Sequence, residues 1–209
     1  MAPKIVDKHA KRAGIIQAAA TVFARKGFQG ASVDDIAAAA GISKGSLYGY
    51  FKNKEDLFYA TFEAFQRELL LECEAVIEAQ STARDKLTSC LMLSITSLQQ
   101  DIELFPLTLE LWAAASSGAA RERFAVVMEN LYREFRTLTA SLISAGKASG
   151  EFRTDVDEQA VAAWLVGKLD GLMLQYWFDQ SLDVHGWADN FLTMIMRGLA
   201  ANSDQGGSR

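Results

Sequence analysis

The chain has 209 residues, of which 50% are hydrophobic and 22% are charged, and its formal net charge is −5. This composition predicts a globular protein with a sizeable core and excludes a disordered or collagen-like chain. Two cysteines, Cys73 and Cys90, make no disulfide framework. The two histidines lie far apart in sequence and favour neither a zinc site nor His-based catalysis.

Basic residues are concentrated at the start of the chain. Residues 1–54 contain nine Lys or Arg and three Asp or Glu, a net charge of +6, so residues 55–209 carry −11. A basic end on an otherwise acidic protein predicts a polyanionic partner at that end. The alternative is a chance cluster of charges on a solvated face.

No stretch reaches the roughly 18 consecutive apolar residues of a membrane helix. Residues 13–24 are apolar and follow four basic residues, as in a secretory leader. Gln17 and Thr21 interrupt this run, and Arg25-Lys26-Gly27 is typical of the end of an amphipathic helix. We therefore expect a cytoplasmic protein that does not contact a membrane.

Hydrophobic periodicity predicts an all-α fold of about nine helices, because the alternating apolar stretches typical of strands are absent. The first helix is predicted from about residue 7 to 26, with Gly27 as its end. Ser32 and Asp35 predict a capping box for a second helix, and Ser43 caps a third. The second to ninth helices are predicted at about residues 33–40, 44–51, 54–79, 82–101, 106–115, 119–148, 156–179 and 184–201.

The later helix starts carry side chains that can cap a helix. Asn53 is predicted to begin the fourth helix, Thr82 the fifth and Asp183 the ninth. Asp155 with Glu158 is predicted to form the capping box of the eighth helix.

Residues 32–54 have the sequence SVDDIAAAAGISKGSLYGYFKNK, and their spacing predicts a helix-turn-helix. Two helices that cross closely need a small residue at the contact, which Ala37 supplies, and Gly41 suits the positive φ of a tight turn. The buried seam is predicted to consist of Ile36, Ile42 and Leu47. The alternative is an ordinary helical hairpin with two surface aromatic residues.

The second helix of this motif is predicted to expose side chains that donate hydrogen bonds to phosphates and base edges. These side chains are Lys44, Ser46, Tyr48 and Tyr50. Lys52 and Lys54 follow at the start of the next helix, where backbone N–H groups and the helix dipole also favour a phosphate.

These residues resemble a known family. Residues 12–58 are similar to the DNA-binding domain of the TetR family, the tetracycline-repressor-like regulators. The matching residues are Arg12, Ile15, Ala19, Phe23, Lys26-Gly27-Phe28, Ser32-Val33, Ile36-Ala37, Ala40-Gly41-Ile42-Ser43-Lys44-Gly45-Ser46-Leu47-Tyr48, Tyr50-Phe51 and Lys54-Glu55-Asp56-Leu57. Further along, Gly150-Glu151-Phe152-Arg153, Asp157 and Asp170-Gly171 resemble the BetI-type C-terminal domain within that family.

The resemblance implies a homodimeric, all-helical repressor that binds double-stranded DNA at a quasi-palindromic operator. Residues 1–53 would form the DNA-binding domain, with the helix-turn-helix at 32–51. Residues 54–201 would form a domain that dimerises and binds a small inducer. The polar residues 202–209 are predicted to be a disordered tail.

The resemblance also implies individual DNA contacts. Phosphate contacts fall on Arg12, Ser32, Ser43, Tyr48, Tyr50 and Lys54, and the residues nearest base edges are Lys44, Gly45 and Ser46. Gly49 departs from the family pattern, which usually has a larger side chain at this position. A glycine inside the predicted third helix costs about 1 kcal/mol relative to alanine. The recognition helix is therefore expected to be soft and to read fewer base pairs directly.

The eighth and ninth helices are apolar on more than one side and so must bury two faces. We expect them to pair across a two-fold axis as a four-helix interface. The predicted interface residues are Val161, Leu165, Leu172, Trp187, Phe191, Met194 and Ile195. The alternative is that both faces belong to the core of one chain.

Aromatic and methionine side chains of helices five to eight are predicted to enclose a pocket for a largely apolar inducer. They are Met92, Phe105, Trp112, Met128, Tyr132, Phe135, Trp164 and Met173. Glu110, Lys168 or Asp170 is a candidate polar anchor. The alternative is that these residues are ordinary core.

The leading hypothesis is a sequence-specific transcriptional regulator, a repressor that an inducer releases from its operator, with helix four as the lever between the two domains. The alternative is a DNA-binding protein of the same fold without an inducer, acting as an activator or a DNA-organising protein. No phosphate loop, metalloprotease motif, paired-cysteine motif or nucleophile elbow occurs in the sequence. We therefore expect no enzyme activity, no cofactor and no metal.

Overall fold

The structure is a computed structural model that describes residues 8–116 and 121–201. The predicted all-α fold is confirmed, because these ranges contain nine α-helices, one short 3-10 helix at Ile102–Leu104 and no strand apart from one isolated bridge. The helices are α1 Lys8–Gly30, α2 Val33–Ala39, α3 Lys44–Tyr48, α4 Lys54–Glu78, α5 Ala83–Gln100, α6 Phe105–Ser116, α7 Arg121–Ser149, α8 Glu158–Phe178 and α9 Val184–Leu199. None of the helices in the described ranges is long and apolar enough to cross a membrane. The tail predicted at 202–209 lies outside the described residues.

Most of the predicted helix starts are confirmed by side-chain caps. The Ser32 side chain accepts from the Asp35 N–H, and the Asp35 carboxylate accepts from the Ser32 N–H, which completes the capping box of α2. The oxygens of Asn53, Thr82 and Asp183 accept in the same way at the starts of α4, α5 and α9. Each cap satisfies a backbone N–H that has no acceptor within its own helix.

The capping box predicted for α8 is wrong. Asp157 is the N-cap, and its carboxylate accepts from the Gln159 and Ala160 N–H groups at 2.9 and 3.1 Å. Asp155 is paired with Arg153, and Glu158 is paired with Lys147 at 2.6 Å. Each carboxylate of the predicted box therefore has a cation as its partner, and the nearer Asp157 is left to cap the helix.

The described residues form two compact units. One, called the head, contains the described residues up to Glu68 together with those of Glu103–Met128. The other, called the body, contains Leu69–Ile102 and the described residues from Glu129 onward. The head contains the helix-turn-helix. It also includes α6 and the start of α7, which lie far from residues 1–53 in sequence.

The head has an aromatic core. The rings of Phe23, Phe28 and Phe58 lie 4.8–6.0 Å apart, and Phe124 lies 6.3 Å from Phe58. Tilted and edge-on arrangements at these distances are the favoured geometries of aromatic pairs. This core joins α1, α4 and the first turn of α7.

The body has an aliphatic core to which α4, α5, α7, α8 and α9 all contribute. Its most buried members are Cys73, Leu87, Ile143, Phe152 and Leu165. These side chains recur at helical spacing, so each helix contributes one apolar face to the same cluster.

The segment Gly150–Arg153 joins three helices of the body. The Glu151 carboxylate accepts from the Ala83 and Arg84 N–H groups at the start of α5, at 2.9 and 3.1 Å, and these bonds lower its pKa. A Cβ on Gly146 of α7 would lie 2.1 Å from the Phe152 ring, so that ring needs a glycine beneath it. The bridge between Phe152 and Ala200 ties the segment to the end of α9.

Candidate nucleic-acid interface

The helix-turn-helix is formed by α2, a tight turn and α3. Gly41 has φ +65°, and the Ile42 N–H closes the turn by donating to the Ala37 carbonyl at 3.0 Å. Ala37 is 3% exposed, and both Ile36 and Leu47 are fully buried. The small residue, the turn glycine and two of the three seam residues thus take the places that the sequence predicted. Ile42, the third, is only partly buried.

The outward side of α3 carries polar and aromatic side chains. Lys44 and Gly45 are exposed, Tyr48 is 47% exposed, and Ser46 and Tyr50 are half-buried. Lys44 Nζ lies 2.8 Å from Asp34 Oδ2, and this contact raises the lysine pKa. Because the pair is exposed, it contributes little to stability and can be exchanged for a phosphate.

Two further basic residues flank α3. Arg12 is exposed on α1, and its guanidinium lies 5.0 Å from the centroid of the Phe51 ring. Lys52 is exposed in the turn before α4. The stacking holds the arginine against the end of the motif while its N–H groups stay in solvent.

The N-cap serines Ser32 and Ser43 differ in whether the hydroxyl proton is already used in a hydrogen bond. The Ser43 oxygen accepts from the Ser46 N–H at 3.2 Å, which leaves its own proton to donate. The Ser32 hydroxyl accepts from the Asp35 N–H and also donates to the Asp35 carboxylate at 2.7 Å. Ser32 therefore has no proton left for a phosphate, and its predicted phosphate contact is not supported by this geometry.

Lys54 is half-buried, and its ammonium contacts backbone carbonyls of the head, which the sequence did not predict. Its ammonium donates to the Phe28 carbonyl at 2.7 Å and to the Ala31 carbonyl at 3.0 Å, and it lies 4.4 Å from the centroid of the Phe28 ring. These carbonyls follow a bend in α1, where they lack helical partners. This internal contact between α4 and the end of α1 uses two of the three ammonium protons and competes with the phosphate contact predicted from sequence.

Gly49 is not inside a helix, so the premise on which a soft recognition helix was predicted is wrong. α3 ends at Tyr48, and Gly49 is its C-cap, with φ −69° and ψ −16°. The Gly49 N–H donates to the Ser46 carbonyl and the Tyr50 N–H to the Leu47 carbonyl, at 3.1 and 2.9 Å. These short-range bonds tighten the last turn and end the helix three residues earlier than predicted.

The predicted dimer residues fall into two groups. Trp187 and Met194 are 48% and 60% exposed, whereas Val161, Leu172, Phe191 and Ile195 are partly buried. Leu165 is wrong as an interface residue, because it is 1% exposed and belongs to the core of the body.

The interface predicted from sequence does not include the two most exposed apolar side chains of α8. Trp164 is 80% exposed and Phe178 is 79% exposed. They lie fourteen residues apart with Gly171 midway, a spacing that places all three on one face of a helix. This signal is present in the sequence but hidden, because α8 has apolar residues on the opposite face as well.

The predicted pocket residues are divided between the two units. Phe105, Trp112 and Met128 lie in the head, where the Phe105 and Trp112 rings meet edge-on at 6.5 Å. Met92, Tyr132, Phe135 and Met173 lie in the body, where Met92 and Phe135 pack against the core and Met173 is buried. Trp164 is 80% exposed on α8, where it lines a surface cavity of about 390 Å³ with Ala163, Gly167 and Lys168 rather than the enclosed pocket that the sequence predicted.

The three candidate polar anchors have different surroundings. Tyr132 donates to the Asp170 carboxylate at 2.6 Å, and burial raises the pKa of Asp170. Burial lowers the pKa of Lys168 to about 8, and its Nζ lies 3.2 Å from the centroid of the Phe191 ring. Glu110 lies in the head, where it accepts from the Phe28 N–H at 2.7 Å, so it is committed to the fold.

An all-helical chain with a capped helix-turn-helix and basic residues around its second helix is a DNA-binding protein by fold and by surface chemistry. Two family models match it. Residues 15–61 match "Bacterial regulatory proteins, tetR family", and residues 83–201 match "BetI-type transcriptional repressor, C-terminal". The chain therefore belongs to the tetR family, with a BetI-type C-terminal domain, and it is a helix-turn-helix transcriptional regulator.

Similar proteins cover nearly the whole chain. The HTH-type transcriptional repressor KstR2 of Rhodococcus jostii is 28% identical, over 93% of both chains. The fatty acid metabolism regulator protein of Bacillus subtilis is 25% identical, over 92% of this chain and 97% of its own. The crystal structure of FadR from Bacillus subtilis in complex with stearoyl-CoA superposes with a TM-score of 0.76 at 24% identity, over 90% of this chain and 98% of that one.

Proposed function

We propose that this regulator is a homodimeric repressor that binds a two-fold-symmetric operator and is released from it by a long-chain acyl-CoA or a related apolar thioester. The observation that carries the proposal is the outward face of α3, where Lys44 and Tyr48 stand exposed on a helix fixed at both ends. Its similarity to proteins named as repressors supports the direction of regulation. A protein of this kind acts in the cytoplasm, where its operator is.

The DNA contacts of this proposal divide by chemistry. Lys44, Gly45 and Ser46 lie at the start of α3 and would approach base edges in the major groove. Phosphate contacts would come from the donors that flank α3, namely Arg12, Ser43, Tyr48, Tyr50 and Lys52. Each phosphate neutralised by a lysine or arginine would add about −0.9 to the slope of log affinity against log salt concentration.

The dimer of this proposal is formed by the outer faces of α8 and α9. Trp164, Phe178, Trp187 and Met194 together expose an apolar surface that a monomer would leave in water. A Cβ on Gly171 would have nothing within 4 Å, so this glycine leaves room for close approach of a second helix. To bind a two-fold-symmetric operator, such a dimer would have to present its two recognition helices to successive major grooves, roughly 34–36 Å apart.

The effector class of this proposal comes from the relatives and from the interior of the body. One relative is named a fatty acid metabolism regulator, and a protein of the same fold was solved with stearoyl-CoA. Methionine and aromatic side chains of the body, among them Met92, Phe135 and Met173, suit an acyl chain. The hydrogen-bonded pair of Tyr132 and Asp170 would supply a polar contact near that chain.

The test begins with selection of random duplex DNA by the purified protein, followed by sequencing of the retained duplexes. Enrichment of one two-fold-symmetric site, bound by two protomers in sedimentation, is the expected result. Stearoyl-CoA at micromolar concentration should then weaken binding to that site, whereas free CoA should not. Binding that fades with salt but enriches no site would refute sequence-specific regulation, and an enriched site that no acyl-CoA affects would refute the effector class alone.

A further inference from the structure

Charged side chains from two other helices hold the bend near the end of α1. At the bend, Gly27 has φ +68° and ψ 170°, which turns the Phe28 N–H away from the helical pattern. That N–H donates to Glu110 Oε2 of α6 at 2.7 Å, and the Phe28 carbonyl accepts from Lys54 Nζ of α4 at 2.7 Å. Both backbone polar groups of one residue are thus bound by ionised side chains, the stronger class of protein hydrogen bond.

The bend is shaped to receive the Glu110 carboxylate. A Cβ at position 27 would lie 2.8 Å from Glu110 Oε1, closer than a side-chain carbon can approach. The positive φ at the same residue also disfavours any side chain. Gly27 therefore both creates the free N–H and leaves the space in which the carboxylate lies.

The bend leads directly into the helix-turn-helix. Lys54 Nζ donates a second hydrogen bond to the carbonyl of Ala31, which precedes the N-cap of α2. Asp35 of that capping box is paired with Lys26 of α1 at 2.7 Å, and this pair and the Ser32 bonds lower its pKa to about 2. The direction in which α2 leaves α1, and with it the placement of α3, is set at this corner.

The start of α7 makes its own contacts with α4 inside the head. Arg123 is paired with Asp56 of α4 at 2.5 Å, and its guanidinium lies 4.1 Å from the centroid of the Tyr59 ring. The Phe124 ring lies 4.7 Å from the Tyr59 ring. Within the head, α6 therefore contacts α1 through Glu110, and the start of α7 contacts α4 through a separate set of side chains.

We propose that Glu110 is a positioning residue for operator recognition: its carboxylate, bound to the Phe28 N–H, makes α6 a part of the DNA-binding head and fixes the α1–α2 corner. In this arrangement α3 keeps the orientation that fits the operator only while the Glu110 contact is intact. A displacement of α6 by an effector would break the contact and lower operator affinity. This last step rests on the proposed function, whereas the positioning role requires only that the protein binds a specific site.

The test compares two substitutions that remove the same charge. Glu110→Gln keeps an oxygen that accepts from the Phe28 N–H, and Glu110→Ala does not. Glu110→Ala should weaken binding to the selected operator about tenfold, the loss of one hydrogen bond to a charged group, and leave binding to random duplex unchanged. Glu110→Gln should stay within about threefold of wild type, and Glu122→Gln, at an exposed glutamate of the same unit, controls for charge.

Hydrogen exchange at the Phe28 amide reports the contact itself and should be faster only in Glu110→Ala. If that variant does not fold, Glu110→Asp, which keeps the charge but is one methylene shorter, is measured in its place. Equal operator affinities for the Ala and Gln variants, or a parallel loss on operator and random duplex, would overturn the positioning role. Failure of the selection to enrich any site would refute the proposed function and this inference together.

The effector arm separates the two proposals. In wild type, the ratio of operator Kd with and without stearoyl-CoA measures the coupling between effector and DNA. In Glu110→Ala this ratio should fall toward one while stearoyl-CoA still binds the free protein equally well. A wild-type ratio of one would refute the effector class, and the comparison of Ala and Gln variants on operator DNA would still decide the role of Glu110.

Discussion

Replacing Lys54 by alanine should destabilise the head rather than simply weaken DNA binding. The substitution removes two hydrogen bonds from an ammonium to the Phe28 and Ala31 carbonyls, and one contact of that ammonium with the Phe28 ring. Hydrogen bonds to a charged group contribute about 1.5–3 kcal/mol each, and neighbouring bonds are not additive. Because Lys54 is only partly buried, we expect the free energy of unfolding to fall by about 2–4 kcal/mol.

Lys52→Ala is the matched control. It removes a lysine charge two residues before Lys54, and the Lys52 side chain is exposed. Urea unfolding followed by circular dichroism should show a change within about 0.5 kcal/mol for this variant. If Lys52 contacts a phosphate, its loss should also make the salt dependence of operator binding shallower by about 0.9, whereas Lys54→Ala should leave that slope unchanged. A Lys54→Ala protein that unfolds like wild type and binds with the shallower slope would refute this internal role and restore the phosphate contact predicted from sequence.

Three further predictions concern the body. Gly146→Ala should cost about 2 kcal/mol or more in thermal unfolding because the new Cβ would overlap the Phe152 ring, while Gly198→Ala, which meets nothing within 4 Å, should cost nothing. The folded pKa of Glu151 lies below its ordinary value of 4.5, so its contribution to stability is complete above pH 4.5 and is lost as pH falls through the folded pKa. Glu151→Gln should therefore flatten the acid limb of the curve of unfolding free energy against pH. An unchanged acid limb would contradict the capping role of Glu151. Gly171→Arg should give folded monomers in sedimentation, because the site is open in one chain and covered in the proposed dimer; an intact dimer would count against that interface.

Most features that depend on neighbours in sequence were predicted well, although the capping box of α8 and the end of α3 were not. The capping box at Ser32 and Asp35, the N-cap at Ser43 and the turn at Gly41 each involve residues within a few positions of one another. Their geometry follows from backbone sterics and from the unpaired N–H groups that every helix start presents. The helix-turn-helix was therefore recognisable from 23 consecutive residues.

Features that depend on partners distant in sequence were predicted poorly. Lys54 and Glu110 are separated from Phe28, to which both are hydrogen-bonded, by 26 and 82 residues. The sequence near Lys54 therefore gave no sign that its ammonium donates to a backbone carbonyl of α1. Leu165 and Trp164 are adjacent apolar residues on α8, yet one lies in the core and the other in solvent. Periodicity shows that a helix has apolar faces, but only packing decides which face meets its own chain.

The helices, most of their caps and the chemistry of the recognition helix can be predicted from sequence, because they follow from interactions within one or two turns of chain. The internal partners of Lys54 and the apolar face of α8 that is exposed could be seen only in the folded chain. Folding also placed α6 in the head, where Glu110 binds the Phe28 N–H. These features depend on contacts between residues distant in sequence. Lys54 and Glu110 bind backbone groups that have no helical partner and that folding brings within hydrogen-bonding distance.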